Sequence, residues 1–321
     1  MLTPWTRGGR AAGHKRRPRA SVTGGVRAGF PAVALGLALL AGCVSDDAAE
    51  AGRGCRRPPT TDAAVTGSAP PEAPREELER FEYEAETGRI SALRAAAWRT
   101  PALAEARPPR VVYVHGSPGD ASAFAAYLRR PVRGLPCVSI DRPGFGRSEP
   151  DEAVPSLVEQ AAALEPLLVD RPVLVGHSLG APIAALAAAL WPDRVGGLVL
   201  LAGALDPELE ELHWYNRLGQ ALDPVLPDDL ARSNEEMLAL EDELRLLAPR
   251  LERITCPVVV VHGTEDRLVP YGNVDYVRAR FVRAPVTVHG LEGVDHFFIW
   301  QAEHVPLVRR VVGELLDERG L

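Results

Sequence analysis

Ser178 stands in Gly176-His-Ser-Leu-Gly180, with the apolar run Val173-Leu-Val before it and the Ala-rich stretch Ala181 to Leu190 after it. That order predicts a buried strand, a very tight turn and a small-residue helix. In such a turn the serine takes a strained backbone, and its hydroxyl is tipped out over the end of a sheet. Gly176 and Gly180 fall where a Cβ would strike the turned chain. Pro182 falls in the first helical turn, where its missing N–H costs nothing. A hydroxyl is a poor nucleophile at neutral pH and needs a base to take its proton. Of the eight histidines, His296 in Gly293-Val-Asp-His-Phe-Phe298 is the candidate, since it follows the last apolar strand on a loop able to reach the serine. A carboxylate holding that imidazole would come from Asp266 or Glu265 in His262-Gly-Thr-Glu-Asp-Arg-Leu-Val-Pro270, or from Asp206 after the preceding strand. Asp295 abuts the histidine, but an immediate neighbour rarely folds back onto its ring. His115 is expected to order its own loop and His177 to point away from the serine. His213, His289 and His304 are assigned to surface or core.

The elements that must position these groups can be read in order. Residues 76–99 suggest a hairpin or edge strands around Thr87-Gly88. Arg110-Val-Val-Tyr-Val114 is a buried strand running into the Gly/Pro loop His115-Gly-Ser-Pro-Gly-Asp120. A helix is expected over Ala121 to Arg130, and the next strand is Cys137-Val-Ser-Ile140, ending in Asp141-Arg-Pro-Gly-Phe-Gly-Arg-Ser148. Another helix follows at 155–169. Beyond the Ser178 unit come strands at Val195 to Leu201, Pro257 to Val261 and Val286 to His289, a helix around 271–283, and a closing helix from Phe297 to Leu316. Strands alternating with helices imply βαβ units and a mostly parallel sheet covered on both faces. Ligands in such sheets bind at the carboxyl ends of the strands, where the candidate residues fall.

The order Ser178, Asp266, His296, the His-Gly loop after an early strand and the Asp141 to Ser148 segment together resemble the α/β-hydrolase fold over roughly residues 85–318. The resemblance implies a mostly parallel central sheet with helices on both faces and a small helical lid insert at about 203–253. It implies Asp266 as the acid, fixing the tautomer of His296 and stabilising its imidazolium. The oxyanion donors would be the N–H groups of Leu179, at a helix N-terminus, and Ser117; Pro118 has no N–H to give. A covalent acyl-enzyme, hydrolysed by water that His296 activates, follows from this set with no cofactor. A serine nucleophile argues against fold-mates that form an ester on an aspartate.

The charge is unevenly placed. Residues 1–42 hold seven Lys/Arg and no acid, so with −7 on the whole chain the remainder stands at −14. A basic start followed by an apolar stretch from Ala28 to Gly42 reads as an export signal. That stretch is short of the about 20 residues a membrane span needs. Leu40-Ala-Gly-Cys43 resembles the lipobox of bacterial lipoproteins, which implies cleavage before Cys43 and lipid attachment to its sulfur. The expected location is the bacterial cell envelope, outside the cytoplasm and anchored through Cys43, with plain secretion as the alternative. Residues 43–74, poor in large apolar side chains, read as a tether unable to order itself, with the hydrolase domain over 75–321. Cys55 lies in that tether, and Cys137 and Cys256 look like small buried residues. No His/Cys spacing suits zinc, so no metal is expected.

Between Leu201 and Cys256 thirteen acidic residues face five arginines. Such a surface disfavours polyanions, so no nucleic-acid partner is expected. Most of these charges are read as a solvated helix face. Helical pattern from Leu205 to Leu251 should break at Pro224, Pro227 and Pro249. Trp214 and Tyr215, with Phe297, Phe298 and Trp300 beside His296, are candidates to line an acyl pocket or to be core. The expected activity is hydrolysis of small, mostly neutral acyl esters. The alternatives are a peptidase of the proline iminopeptidase type, needing a lid carboxylate for a substrate amine, and a binding protein that keeps the fold without turnover.

Overall fold

The computed structural model describes residues 77–95, 108–210 and 226–317. The strands are β1 (Leu78–Ala85), β2 (Gly88–Ala95), β3 (Val111–Val114), β4 (Cys137–Ile140), β5 (Val173–His177), β6 (Gly197–Leu201), β7 (Val258–Gly263) and β8 (Val286–Leu291). They form one sheet in the order β1-β2-β4-β3-β5-β6-β7-β8. The expected hairpin is β1–β2, which turns through Gly88 at φ +125° and joins the sheet antiparallel to β4. From β4 to β8 every pairing is parallel.

The short strands are near-continuous runs of Val and Leu because both faces are covered. Side chains alternate across the sheet. Val112, Val114, Leu174, Leu198, Leu200, Val258 and Val260 pack on one side with α2 (Leu157–Ala162), α3 (Gly180–Leu190), α4 (Asp228–Leu247) and α5 (Asn273–Arg280). Val111, Tyr113, Val173, Val175, Val199, Leu201, Val259 and Val261 pack on the other side with α1 (Ala125–Leu128) and α6 (Val305–Asp317). The mostly parallel sheet between helical layers is therefore the architecture expected. Cys137 and Cys256 are buried thiols, not a disulfide.

Three expected helices are shorter or broken. Ala121 to Arg130 is a 3-10 turn, Ala121–Phe124, followed by the single turn α1. Within 155–169, α2 stops at Ala162 and a 3-10 turn at Glu165–Leu167 takes over. The closing helix does not run from Phe297: a 3-10 turn covers Phe298–Trp300, and α6 begins at Val305. Pro306 explains the break, since it lacks the N–H a continuous helix needs and is harmless only in a first turn. In the insert, α4 begins directly after Pro227 and gives way to a 3-10 segment at Ala248–Arg253, around Pro249. Among the described residues no helix is long and apolar enough to cross a membrane.

Candidate active site

The chain reverses sharply between β5 and α3. Ser178 takes φ +53°, the left-handed region in which a non-glycine residue is held only by its surroundings. Its N–H donates to the Leu201 carbonyl at 2.9 Å, carrying the β5–β6 ladder one residue past the strand end. Ser178 is half-buried between fully buried neighbours, so the turn leaves this side chain reachable. The two flanking glycines are required by close approach. A Cβ on Gly176 would lie 2.3 Å from the Gly180 carbonyl oxygen, and one on Gly180 would lie 2.2 Å from that of Val114.

Asp266 follows β7 on a loop that closes on its own carboxylate. Its Oδ1 accepts from Leu268 N–H at 3.0 Å and Val269 N–H at 2.8 Å. Its Oδ2 lies 2.7 Å from His296 Nδ1 and 3.5 Å from His262 Nε2. Burial by itself would raise this carboxyl's pKa. Hydrogen bonds from His262, His296 and the Val269 N–H outweigh burial and hold it well below the usual range, so Asp266 stays ionised. A carboxylate only accepts, so His296 donates through Nδ1 and carries its lone pair on Nε2. The loop carrying His296 crosses directly over the end of β7, where a Cβ on Gly263 would meet the Val294 carbonyl oxygen at 2.1 Å. Glu265 is exposed, Asp206 caps the Glu208 N–H, and Asp295 accepts from the Phe297 N–H. Of the four candidate carboxylates, Asp266 is the one at the imidazole.

The His177 ring packs against this group. Its ring centroid is 4.8 Å from that of His296, and its Nε2 lies 3.3 Å from the His296 carbonyl oxygen. The loop after β8 folds back onto the strand end that carries His177, which seats His296 beside the Ser178 turn. Burial first, and then the neighbouring His296, lowers the His177 pKa to about 3. His115 is likewise buried, and burial and Arg142 push its pKa well down. As expected it orders its loop: Nδ1 donates to the Gly116 carbonyl at 2.7 Å and Nε2 accepts the Arg142 N–H at 3.1 Å.

Two imidazoles held neutral by burial make stability pH-dependent. The unfolded chain takes up their protons near pH 6.5 and the folded chain does not, so stability falls as pH drops below 6.5, by up to about 1.4 kcal/mol per pH unit for each. Glu210 opposes this: burial, then Asp206 and Glu241, push its pKa up to about 7, so its uptake of a proton favours the folded form as pH falls from 7 toward 4.5. Burial also raises the pKa values of the exposed Asp229 and half-buried Glu243, which act with Glu210. The two fully buried imidazoles outweigh these three less buried carboxyls, so the urea midpoint should drop between pH 6.5 and pH 5. A midpoint that rises over that interval would contradict the neutral pair.

The loop after β3 lies against the serine, since a Cβ on Gly116 would be 2.9 Å from Ser178 Cβ. Leu179 is buried at the N-terminus of α3, and Ser117 follows Gly116. The Ser117 hydroxyl donates to Glu236 Oε2 at 2.5 Å. Most of the insert's described acids are solvated as expected, and Glu236 is the exception: on α4 it is 2% exposed and is paired with Arg142, which is fully buried. Its position was readable. Ser233, Glu236, Leu240, Leu244 and Leu247 share the buried face of α4 at helical spacing. Phe297 is half-buried, edge-on to His296 with ring centroids 5.5 Å apart and stacked on Trp300, whereas Phe298 is core. Trp214, Tyr215 and Cys43 lie outside the described residues.

A model of the alpha/beta hydrolase family matches residues 111–309. Over 254 residues the chain is 27% identical to a 2-hydroxy-6-oxononadienedioate/2-hydroxy-6-oxononatrienedioate hydrolase of Cupriavidus pinatubonensis, covering 64% of this chain and 86% of that protein. It is 38% identical over 228 residues to the biotin biosynthesis bifunctional protein BioHC of Cellvibrio japonicus, covering 60% of this chain and 45% of that one. Among solved structures, a monoacylglycerol lipase of Paleococcus ferrophilus superposes with a TM-score of 0.54 at 19% identity, covering 75% of this chain and 99% of that chain. A thermophilic esterase gives 0.51 at 22%, covering 75% and 98%. At these identities the structural likeness is one of fold.

Proposed function

The chain belongs to the alpha/beta hydrolase family, and we propose that within it the protein is a serine hydrolase cleaving small, mostly neutral carboxylic esters. One observation carries this reading: a serine at positive φ on a strand end, directly after His177, whose ring lies 4.8 Å from that of a buried His296 with its Nδ1 fixed by an ionised Asp266. In the proposed cycle Ser178 Oγ attacks the ester carbonyl while His296 Nε2 takes its proton. The carbonyl oxygen becomes an oxyanion received by the N–H groups of Ser117 and Leu179. Collapse expels the alcohol, which leaves with the proton from His296, and an acyl-Ser178 ester remains. Water, deprotonated by His296, then releases the acid and restores the serine hydroxyl. Asp266 keeps its negative charge throughout and balances the transient imidazolium.

The iminopeptidase alternative needs an insert carboxylate to hold a substrate amine. Glu236 does not serve, because Arg142, Gln160 and Ser117 already donate to both of its oxygens. A second reading, carbon–carbon bond hydrolysis, is favoured by the similarity to the oxononadienedioate hydrolase. A panel of p-nitrophenyl esters, aminoacyl amides and vinylogous diketo acids tests these together. Turnover led by short neutral esters is expected. Activity confined to aminoacyl substrates, or to diketo acids, would overturn the ester reading, and binding without turnover would favour the non-catalytic alternative.

We also propose export and anchoring through Cys43, on the basic lead, the apolar stretch and Leu40-Ala-Gly-Cys43. Mass spectrometry of the mature protein from a bacterial host should find a diacylglyceryl group on Cys43. An unmodified mature N-terminus elsewhere would reject this.

A further inference from the structure

The Gly116–Ser117 peptide is gripped from one side. Its carbonyl accepts from His115 Nδ1 at 2.7 Å and from Arg142 Nη2 at 3.2 Å. In a trans peptide the N–H points opposite to the C=O, so pinning the carbonyl aims the Ser117 N–H the other way. Donors on the carbonyl also polarise the peptide and strengthen its N–H as a donor.

Arg142 is in turn held by the insert. Glu236 Oε1 accepts from Arg142 Nη1 at 2.7 Å and from Gln160 Nε2 at 3.1 Å. Its Oε2 accepts from Arg142 Nη2 at 2.9 Å and from the Ser117 hydroxyl at 2.5 Å. The guanidinium also lies 4.7 Å over the Phe145 ring. One carboxylate on α4 thus ties together the loop after β3, the loop after β4, and α2. A buried ion pair contributes little net stability compared with apolar residues of the same volume. The pair therefore asks for a role other than stability.

We propose that Glu236 is a positioning residue for the oxyanion loop. It holds Arg142 and the Ser117 side chain so that the Ser117 N–H is set for the attack by Ser178, and the seating of the insert's helix and the readiness of the oxyanion site are one event. This rests on the serine-hydrolase reading above.

The test compares full-length wild type, Glu236→Gln, and the double variant Arg142→Met/Glu236→Leu, which removes both buried charges. Each is assayed for ester kcat and KM, for the rate of fluorophosphonate labelling at Ser178, and for thermal midpoint. Removing one oxyanion donor outright lowers kcat by about 100- to 1,000-fold. A donor that is loosened but present is expected to cost about 10- to 100-fold in kcat, with KM within about twofold and the labelling rate falling in parallel. The double variant should keep its thermal midpoint and still lose at least about tenfold in kcat, so it decides the matter if Glu236→Gln fails to fold. Wild-type kcat in the folded double variant, a change in KM alone, or a kcat loss that merely tracks the folded fraction would overturn the proposal. A wild type that turns over no ester and takes no label at Ser178 would overturn the serine-hydrolase reading, and with it the role of Glu236.

Discussion

Ser178→Ala is expected to lower ester kcat by about a million-fold while leaving the fold intact. The magnitude is that of removing the nucleophile from a serine–histidine–aspartate unit, whose members act together and not additively. No neighbouring group can replace it. The Ser117 hydroxyl is committed to Glu236, and His177 is buried with its pKa lowered to about 3 and its Nε2 on the His296 carbonyl. Alanine also relieves no clash, since the serine side chain is half-exposed. The strained φ of +53° persists in the variant because the Ser178 N–H remains bonded to Leu201 and both glycines stay in place. Circular dichroism and the urea midpoint should therefore match the wild type, and steady-state kinetics should show the loss in kcat. Retention of more than a few per cent of turnover would place the chemistry elsewhere.

Asp266→Asn is expected to cost about 10,000-fold in kcat, again without unfolding. The reason is the tautomer. In the native protein Asp266 Oδ2 accepts from His296 Nδ1 at 2.7 Å, so Nε2 is free of its proton and can act as base. An asparagine that keeps its carbonyl toward the Leu268 and Val269 N–H groups presents its NH2 to the imidazole. The ring must then accept at Nδ1 and carry its proton on Nε2, where it cannot take one from Ser178. The imidazolium formed during attack also loses its counter-charge. The readout is kcat at saturating ester across pH 6 to 9, with a loss at every pH. A residual rate that recovered fully at high pH would point to a shifted histidine pKa and not to a wrong tautomer.

The sheet and its order of elements were legible because each β-strand from β3 to β7 is a short apolar run bounded by Gly, Pro or a charged turn, as in Val111–Val114 and Val258–Gly263. The turn at Ser178 was legible too, since two glycines at fixed offsets have one steric reason for being there. The approach of His296 to Asp266 was signalled by their places after successive strands. What composition concealed is long-range and charged. Glu236 reaches Arg142 across 94 residues and Ser117 across 119, and among thirteen acids of the insert only its phase on α4 sets it apart. The contact of His177 with His296 arises from how the loop after β8 folds back, which no local pattern encodes. The break before α6 was available in Pro306, but the apolar periodicity around it reads through the proline.

The most direct test is to react the purified protein with a fluorophosphonate probe and locate the adduct by peptide mass spectrometry. A single stoichiometric adduct on Ser178, formed at least about a thousandfold more slowly after His296→Ala, is the predicted result. No adduct, or labelling of another residue at the wild-type rate, would contradict a serine activated by that histidine.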